Sequence, residues 1–584
     1  MPKQSKINLA KYISYDREAN RSTCLLCKKN FNGRILHNIK RHYALVHKHD
    51  FERCAPKEPP SKAKINLSQN GFLMCCVGLI TVNAMPLTLF DDEKYFKRII
   101  EPYENAFNIR VNSTSIRERL DSCAEQMKIN LSNLLKDKML CIKFDIASRM
   151  DKSILVINVQ FIKNFQIHIF TIAMVELENR HTAPILNEEI LKHFNTFGIN
   201  AIQIYCSTTD DGANVVKTSE LLQQNEITDA DEYEEIHNRL SSVLTVERCA
   251  ENTLQLVAHD VYKTVTAEVA ECRETTNFLR QIIRNGTFTE NIPMPTLDNL
   301  TRWSSTLDML TSLLNLIEFV KMYKIECEIK WDFIQNFVAA FKPVAECTKS
   351  LQTENYVIGD FYRDWLLCET KLETMPNNIF ASALLQAMQL RNENFWYNNT
   401  FVAALYIDPR FNYMDSPFFN ESRRKQAVSH LISTSRILTD LEGNTTFNAE
   451  PEVKQMEFEF SPSSNDDFHL LEQKVNLLTQ QSPQLPTNVQ TIRQKLEGLS
   501  HKTRMPFQTN ILDYWNELKS DEPDLAKLAE VVLAVPCTQT SVERAFNALS
   551  LILNKHNSNL KAENINNLLF TKLNKDLLNN VNFS

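Results

Sequence analysis

Residues 140–177, LCIKFDIASRMDKSILVINVQFIKNFQIHIFTIAMVEL, decide the fold of this 584-residue chain. The stretch contains three runs, LCIKFDIA, SILVINVQFI and FQIHIFTIAMVEL, that are rich in β-branched and aromatic residues. In each run the side chains alternate between two faces, which is the pattern of β-strands. Three such runs in succession predict a meander of three strands.

The segments that follow extend this pattern. Residues 184–197 repeat apolar side chains on one side of a predicted helix, and residues 201–206 form another β-rich run that leads into Thr-Thr-Asp-Asp-Gly. The resulting order, βββαβ, is the nucleus of a ribonuclease-H-like fold. In that fold the first strand carries an acid toward the neighbouring end of the fourth, where a second acid sits. Asp145 and Asp210 occupy those two places.

Two carboxylates that meet at adjacent strand ends have the chemistry to hold Mg²⁺. A pair of such ions would clamp the attacking and leaving oxygens of a phosphodiester displacement, although a third carboxylate is needed to complete the site. Two simpler interpretations stay open. Asp145 can be a charge at a strand edge, and Asp210-Asp211-Gly212 is an ordinary turn sequence.

Near the start of the chain, Cys24, Cys27, His42 and His47 have the spacing of a structural zinc site. Two thiolates two residues apart bind one ion from a tight turn, and two histidines five apart face it from a helix. His37 also lies five residues before His42 and competes as a ligand. The short connection from Cys27 to His37 leaves little room for a hairpin and a helical turn, so His42 and His47 are preferred.

The charge around this site indicates DNA as the partner. Residues 1–70 contain 15 Lys and Arg against 5 Asp and Glu, whereas the whole chain carries a net charge of −7. A small basic module on an acidic body concentrates phosphate contact in one place. Lys40 and Arg41 lie beside the metal ligands, and Arg34 and Lys48 flank them as further DNA-binding candidates. The alternative is a zinc module that binds protein.

Length and composition bound the rest of the molecule. The chain is long enough for several domains. Its 14 cysteines are mostly scattered singly and no secretory signal is evident, so a reducing intracellular compartment is expected. The most apolar run, residues 71–80, is too short to cross a bilayer, so no membrane segment is expected. With only nine glycines for tight turns, helices should dominate.

Further motifs occur in a fixed order along the chain. They are Phe144-Asp145, Thr209-Asp210-Asp211-Gly212-Ala213-Asn214, Arg248-Cys249 followed by Leu254 and Leu256, Thr301-Arg302-Trp303, Asp408-Pro409-Arg410-Phe411, Leu512-Asp513-Tyr514-Trp515 and Ser541-Val542-Glu543-Arg544-Ala545-Phe546. Together with the zinc ligands, this series resembles that of hAT-superfamily transposases, and of proteins derived from them, with an N-terminal BED-type zinc finger.

The resemblance implies a helix-rich α+β architecture with a ribonuclease-H-like core interrupted by a large all-α insertion. The expected parts are a BED-type zinc finger (1–53), a linker (54–64), a helical domain (65–136), the first part of the core (137–303), a helical insertion with a disordered segment near 442–500 (304–505), and a region that completes the core and dimerises (506–584). The linker is rich in Pro and Lys, and the 442–500 segment is rich in Pro, Ser, Asn and Gln.

The resemblance also assigns roles to single residues. Asp145, Asp210 and Glu543 match the catalytic acids, and Trp303 matches a tryptophan that stacks on an unpaired base of DNA. Glu543 also fits a capping box that opens a helix, and Trp303 also fits a core tryptophan. The C-terminal region implies a homodimer, against which a purely intramolecular core is the alternative.

Three departures from the family pattern affect catalysis. Asn252 stands where a histidine is usual, Asp211 replaces an asparagine, and the segment after Asp145, including Ala147, lacks a tryptophan. An amide cannot replace an imidazole as an acid or cation. We therefore expect a nuclear zinc-finger protein that binds double-stranded DNA as a transcription or chromatin regulator, with an active Mg²⁺-dependent transposase as the alternative. A protein-interaction scaffold is a third class, which applies if the finger does not bind DNA.

Overall fold

The structure is a computed structural model, and it describes residues 11–47, 67–92, 94–149, 152–177, 182–209, 218, 245–286, 288, 291–299, 303–326, 329–353, 355–443, 491–552 and 562–581. The chain divides into two compact units. One contains the N-terminal residues to Leu73 together with Arg98–Ile109, and the other contains Met74–Lys97 and the chain from Arg110 onward. Each unit is described separately below.

The N-terminal unit begins with a three-stranded antiparallel sheet followed by a helix, which we call the finger (residues 11–47). Its elements are β1 (Ile13–Asp16), β2 (Arg21–Cys24), β3 (Asn30–Asn32) and α1 (Leu36–Val46). The turn between β1 and β2 is closed by the Asp16 carboxylate, which accepts hydrogen bonds from the backbone amides of Glu18 and Ala19. Gly33, with φ of +72°, makes the left-handed turn that leads toward the helix.

The second unit is built on a five-stranded mixed sheet. Its strands are β4 (Leu140–Arg149), β5 (Lys152–Lys163), β6 (Gln166–Leu177), β7 (Ile204–Thr209) and β8 (Thr245–Arg248), in the spatial order β6-β5-β4-β7-β8. The first three strands pair antiparallel, as the predicted meander requires, whereas β7 joins β4 and β8 joins β7 in parallel. The first strand of this sheet, β4, therefore lies beside the fourth, β7. Helix α5 (Ala183–Phe197) makes the crossover between β6 and β7.

The fourth strand begins later than the sequence pattern indicated. Residues 201–203 form a 3₁₀ turn, and the strand runs from Ile204 to Thr209 instead of over 201–206. The cause is a capping box at Asn200, whose side chain accepts from the Ile202 amide while the Gln203 side chain accepts from the Asn200 amide. This local hydrogen bonding outweighs the β propensity of the first residues, and the strand then continues through Thr208 and Thr209.

Helices make up most of the remaining described chain. Before the sheet they are α2 (Gln69–Thr81), α3 (Phe96–Phe107) and α4 (Ser113–Leu135). After it they are α6 (Ala250–Tyr262), α7 (Thr266–Asn285), α8 (Trp303–Leu314), α9 (Ile317–Met322), α10 (Trp331–Ser350), α11 (Ile358–Glu373), α12 (Ile379–Trp396), α13 (Asn399–Tyr406), α14 (Glu421–Leu441), α15 (Ile492–Leu499), α16 (Ile511–Leu518), α17 (Pro523–Leu533), α18 (Thr540–Ile552), α19 (Ala562–Leu573) and α20 (Lys575–Leu578). The predicted disordered segment near 442–500 lies mostly outside the described residues.

Two motifs that are distant in sequence meet in the core of the second unit. Trp515 in α16 is completely buried, and its indole Nε1 donates a 3.1 Å hydrogen bond to the carbonyl of Ile407. The Met505 amide donates to the carbonyl of Pro409. The turn that contains Asp408 and Arg410 is thereby attached to the segment that opens the C-terminal region. This attachment joins the helices after the sheet into one core.

The apolar stripe of α17 is used inside the chain. Leu525, Leu528 and Val532 are at most 3% exposed and belong to the same buried cluster as Trp515. This stripe is therefore core, as the intramolecular alternative predicted, and it is not available to a second copy of the chain. In the part of the chain that the structure describes, every helix is too short or too polar to cross a bilayer.

Gly359 provides a test of this core. A methyl group at this position would overlap the Asp408 carboxylate and the Arg410 guanidinium, both of which are fully buried. Overpacking of this kind typically costs about 1–3 kcal/mol, so Gly359→Ala is expected to lower the midpoint of chemical unfolding. The control is Gly498→Ala, because an added methyl in α15 meets no atom within 4 Å beyond its chain neighbours and its own helix backbone. Equal midpoints for the two variants would contradict the close approach at Gly359.

Candidate functional site

The finger brings four metal-ligating side chains to one point. The ligand atoms of Cys24, Cys27, His42 and His47 all lie within 4.8 Å of one another. Cys24 Sγ is 3.5 Å from His47 Nε2, Cys27 Sγ is 3.2 Å from His42 Nε2, and the two Nε2 atoms are 3.2 Å apart. A tetrahedron with zinc–ligand bonds of about 2.0–2.3 Å has edges of about 3.3–3.8 Å. The four side chains therefore fit a closed zinc site.

A small aromatic core holds these ligands in place. Tyr43 is completely buried, and its hydroxyl donates to the carbonyl of Tyr12 at 2.7 Å and accepts from Cys24 Sγ at 3.5 Å. Burial acts to raise the pKa of the Cys24 thiol, but hydrogen bonds, led by the one from the Cys27 amide, outweigh it and lower that pKa to about 6. At neutral pH this favours the thiolate, which is the form that binds zinc.

The predicted DNA-binding residues of the finger face solvent. Arg34, Lys40 and Arg41 are exposed, and the Arg34 guanidinium lies 5.8 Å from the centre of the Tyr15 ring. His37, the competing ligand, is also exposed and is not a member of the four-residue cluster. Lys48 lies outside the described residues. The basic side chains are thus presented on the surface of a fold that contains the Cys24, Cys27, His42 and His47 cluster.

Two of the three predicted catalytic acids lie in described elements of the second unit. Asp145 is half-buried within β4, and Glu543 is exposed in the first turn of α18. Asp210 lies outside the described residues, so the predicted convergence of the three carboxylates remains a prediction. The Asp145 Oδ1 accepts a hydrogen bond from the Ile146 amide at 2.7 Å.

The segment before α18 is fixed against the central strands by side-chain hydrogen bonds. Gln539 Nε2 donates to the carbonyls of Phe144 and Thr208 at 3.3 and 3.2 Å, and so bridges β4 and β7. Asn158 Nδ2 donates to Ser541 Oγ, and Thr208 Oγ1 donates to the carbonyl of Pro536. These contacts place the start of α18 over the strands that lead to Asp145 and to residue 210. Gln539 was not predicted from the sequence, where its only signal is an amide side chain shortly before a helix.

A buried lysine lies on the same face of β4 as Asp145, two residues earlier. The Lys143 side chain is 3% exposed, and its Nζ donates a 2.9 Å hydrogen bond to Gln160 Oε1. Burial lowers the pKa of this ammonium group to about 8. The pattern LCIKFDIA gave no sign of it, because a lysine in an alternating strand ordinarily faces solvent.

Trp303 begins helix α8 and is largely buried. It is 9% exposed, and its ring centre is 5.9 Å from that of Phe341. This environment matches the core interpretation, and stacking on a DNA base stays a prediction. Two of the departures noted in the sequence, at Ala147 and Asn252, lie in β4 and in the first turn of α6. The third, Asp211, is outside the described residues.

Comparison with known proteins finds one family model that matches this chain and two similar proteins. Residues 495–574 match the hAT family C-terminal dimerisation region. The chain is 21% identical over 298 residues to the zinc finger BED domain-containing protein DAYSLEEPER of Arabidopsis thaliana, covering 47% of this chain and 40% of that protein. It is 21% identical over 291 residues to zinc finger BED domain-containing protein 4 of Homo sapiens, covering 47% of this chain and 24% of that protein. The chain therefore spans less than half of each relative.

Proposed function

We propose that this chain, a hAT-derived protein with a BED-type zinc finger, acts in the nucleus as a DNA-binding regulator of transcription or chromatin. The observation that carries the proposal is the four-ligand cluster in a finger whose surface is basic. Zinc would be a structural ion held by Cys24, Cys27, His42 and His47. The similarity to proteins named for BED domains supports the same interpretation.

The second part of the proposal concerns the body of the protein. The order of the strands in its sheet, with β4 beside β7, supports a ribonuclease-H-like core that an all-α insertion interrupts. Lys143 of β4 is paired with Thr208 of β7. In sequence, Asp145 lies two residues after Lys143, and Asp210 lies two residues after Thr208. This correspondence and the Gln539 bridge support an inherited acid site of Asp145, Asp210 and Glu543. Mg²⁺ would be its ion, and Trp303 would lie near bound DNA, if the site were active.

The third part of the proposal is a homodimer formed through the C-terminal region. Its support is the match of residues 495–574 to a dimerisation region. Two fingers joined in one dimer would bind paired sites more tightly than a single finger, because the second contact is made at a high effective concentration. The apolar stripe of α17 is excluded from the contact surface, since it is already buried within the chain.

The first test is the salt dependence of DNA binding by the full chain. If Arg34, Lys40 and Lys48 each neutralise one phosphate, affinity for duplex DNA should fall on the order of 40-fold between about 50 and 200 mM salt. Arg34→Gln combined with Lys40→Gln should weaken binding at low salt and reduce the slope of log affinity against log salt by about two.

The matched control removes two charges from the body. Lys321 and Lys425 are 66% and 77% exposed, and each is paired with a carboxylate in its own helix. Lys321→Gln combined with Lys425→Gln changes net charge by the same amount, and it should leave DNA affinity nearly unchanged. Equal losses for the two double variants would mean that DNA contact is spread over the body, and the proposed role of the finger would be wrong.

The second test separates a regulator from a nuclease. Because Asn252 lacks the imidazole of the family pattern and Asp211 adds negative charge, we expect no Mg²⁺-dependent nicking of DNA bound to the full chain. A nicking assay with Asp145→Asn, Glu543→Gln and the exposed control Asp513→Asn would check this. Nicking by the wild type that is lost in the first two variants and kept in the control would overturn the non-catalytic proposal in favour of transposition.

A further inference from the structure

We infer that Ile35, Asn38 and Arg41 are the residues of the finger that determine its base preference, and that they read thymine, adenine and guanine on adjacent base pairs. This inference rests on the proposed binding of DNA by the finger. It assigns a specificity to one face of α1, whereas the proposed function requires only that the finger be basic.

The register comes from the helix start and the first histidine ligand. Helix α1 starts at Leu36, after Ile35, whose backbone is extended with φ of −93° and ψ of 108°. In zinc-finger helices that enter the major groove, positions −1, 3 and 6 relative to the helix start reach three successive bases. Counting from Leu36, these positions are Ile35, Asn38 and Arg41. His42 follows Arg41 directly, so the metal fixes the rotation of this face.

The exposure of the helix agrees with this register. Ile35 is 53% exposed, and Asn38 and Arg41 are also exposed. The opposite side of α1 is buried, because Ile39 and Tyr43 are completely inaccessible to solvent. Residues three apart are neighbours on a helix surface, so the three exposed positions follow one another along one face.

Each of the three side chains has a defined complement in the major groove. The amide of asparagine pairs bidentately with adenine N6 and N7, and the guanidinium of arginine pairs with guanine O6 and N7. The aliphatic side chain of Ile35 can contact only the thymine methyl group, since it has no hydrogen-bonding atom. In helix order, Arg41, Asn38 and Ile35 therefore specify guanine, adenine and thymine along one strand.

The neighbouring basic residues Lys40 and Arg34 are placed to contact phosphates and not bases. Lys40 lies on the helix about 100° away from Arg41, and Arg34 precedes position −1 and lies beside the Tyr15 ring. Both are placed at the edges of the reading face, where phosphates flank the groove. Lys40 and Arg34 should therefore contribute affinity without base preference.

The experiment is selection of binding sites by the zinc-loaded full chain from a random duplex library, followed by competition with single-base variants. We expect the guanine-adenine-thymine step to be enriched. Asn38→Ala should lose about tenfold of the preference for adenine at the middle position only. Arg41→Gln should change the preferred base at its own position from guanine to adenine, because glutamine pairs with adenine as asparagine does.

Lys40→Gln is the matched control for Arg41→Gln, because it removes the same charge from the adjacent residue. It should weaken binding to all sequences equally and leave the selected site unchanged. Zinc content of one ion per chain shows that each variant keeps its fold. Uniform weakening by Arg41→Gln, or selection of a site without the predicted step, would overturn the assignment while DNA binding stands. If the wild-type chain does not bind DNA at all, the proposed function fails and the assignment fails with it.

Discussion

Removal of zinc from the full chain by a chelator is expected to unfold residues 11–47 and to leave the second unit folded. The buried core of the finger consists of Tyr12, Ile13, Cys24, Ile39 and Tyr43, and Cys24 among them belongs to the proposed zinc site. A core of this size in fewer than about 40 residues does not offset the conformational entropy of the chain. The metal contributes on the order of 10 kcal/mol to folding in such modules, so its loss is decisive.

Amide hydrogen exchange of the full chain measures this effect residue by residue. Chelation should abolish protection in β1, β2, β3 and α1, and protection in the five-stranded sheet should be unchanged. Cys27→Ser should have the same effect in the presence of zinc. Cys75→Ser is the matched control, because Cys75 is exposed in α2 and is outside the ligand cluster. Full protection of the finger after chelation, or in Cys27→Ser, would show that the metal assignment is wrong.

The elements that periodicity alone predicted are those with a strong hydrophobic pattern. The three strands of the meander and the helix of residues 184–197 appear within one or two residues of their predicted limits. Their apolar side chains alternate or repeat along a single face, and burial of that face dominates the local energetics. The strand β8, of sequence Thr-Val-Glu-Arg, was missed because two of its four residues are charged.

Features that depend on side chains from distant parts of the chain could not be read from the sequence. Gln539 bridges two strands that are more than 300 residues away in sequence, and no local pattern distinguishes it from a surface glutamine. The clustering of Cys24, Cys27, His42 and His47 was predictable for the opposite reason. Their geometry is encoded in short spacings, because a turn and a helix fix the distances between residues close in sequence.

A buried ionic network around Arg410 is the second place where a single substitution should have a large effect. The side chains of Arg410 and Asp408 are both 0% exposed, with an Nη2–Oδ2 distance of 2.6 Å. Arg410 Nη1 also donates to Asp360 in α11 at 2.7 Å and to the carbonyl of Thr509 at 3.2 Å. One guanidinium thus joins the turn after α13, helix α11 and the segment before α16.

Arg410→Met is expected to destabilise the second unit by about 3–5 kcal/mol, which is typical when one partner of a buried ion pair is removed. Asp360 keeps Arg363, 3.2 Å away, but Asp408 loses its cation. Burial raises the pKa of the Asp408 carboxyl even beside Arg410, so without the guanidinium it should take up a proton. The unpaired polar group and the lost bond to Thr509 then weaken the attachment of the C-terminal region.

Chemical unfolding monitored by tryptophan fluorescence is a suitable measurement, since the buried Trp515 is hydrogen-bonded to Ile407, next to this network. Lys425→Met is the control, because its ion pair with Glu421 is 77% and 75% exposed and such pairs contribute less than about 1 kcal/mol. Adding Asp408→Leu to Arg410→Met should recover part of the loss, since two apolar side chains leave no uncompensated charge. If Arg410→Met is no more harmful than Lys425→Met, the network does not hold these segments together. If the double variant is less stable than Arg410→Met alone, the loss comes from packing and not from the unpaired carboxyl.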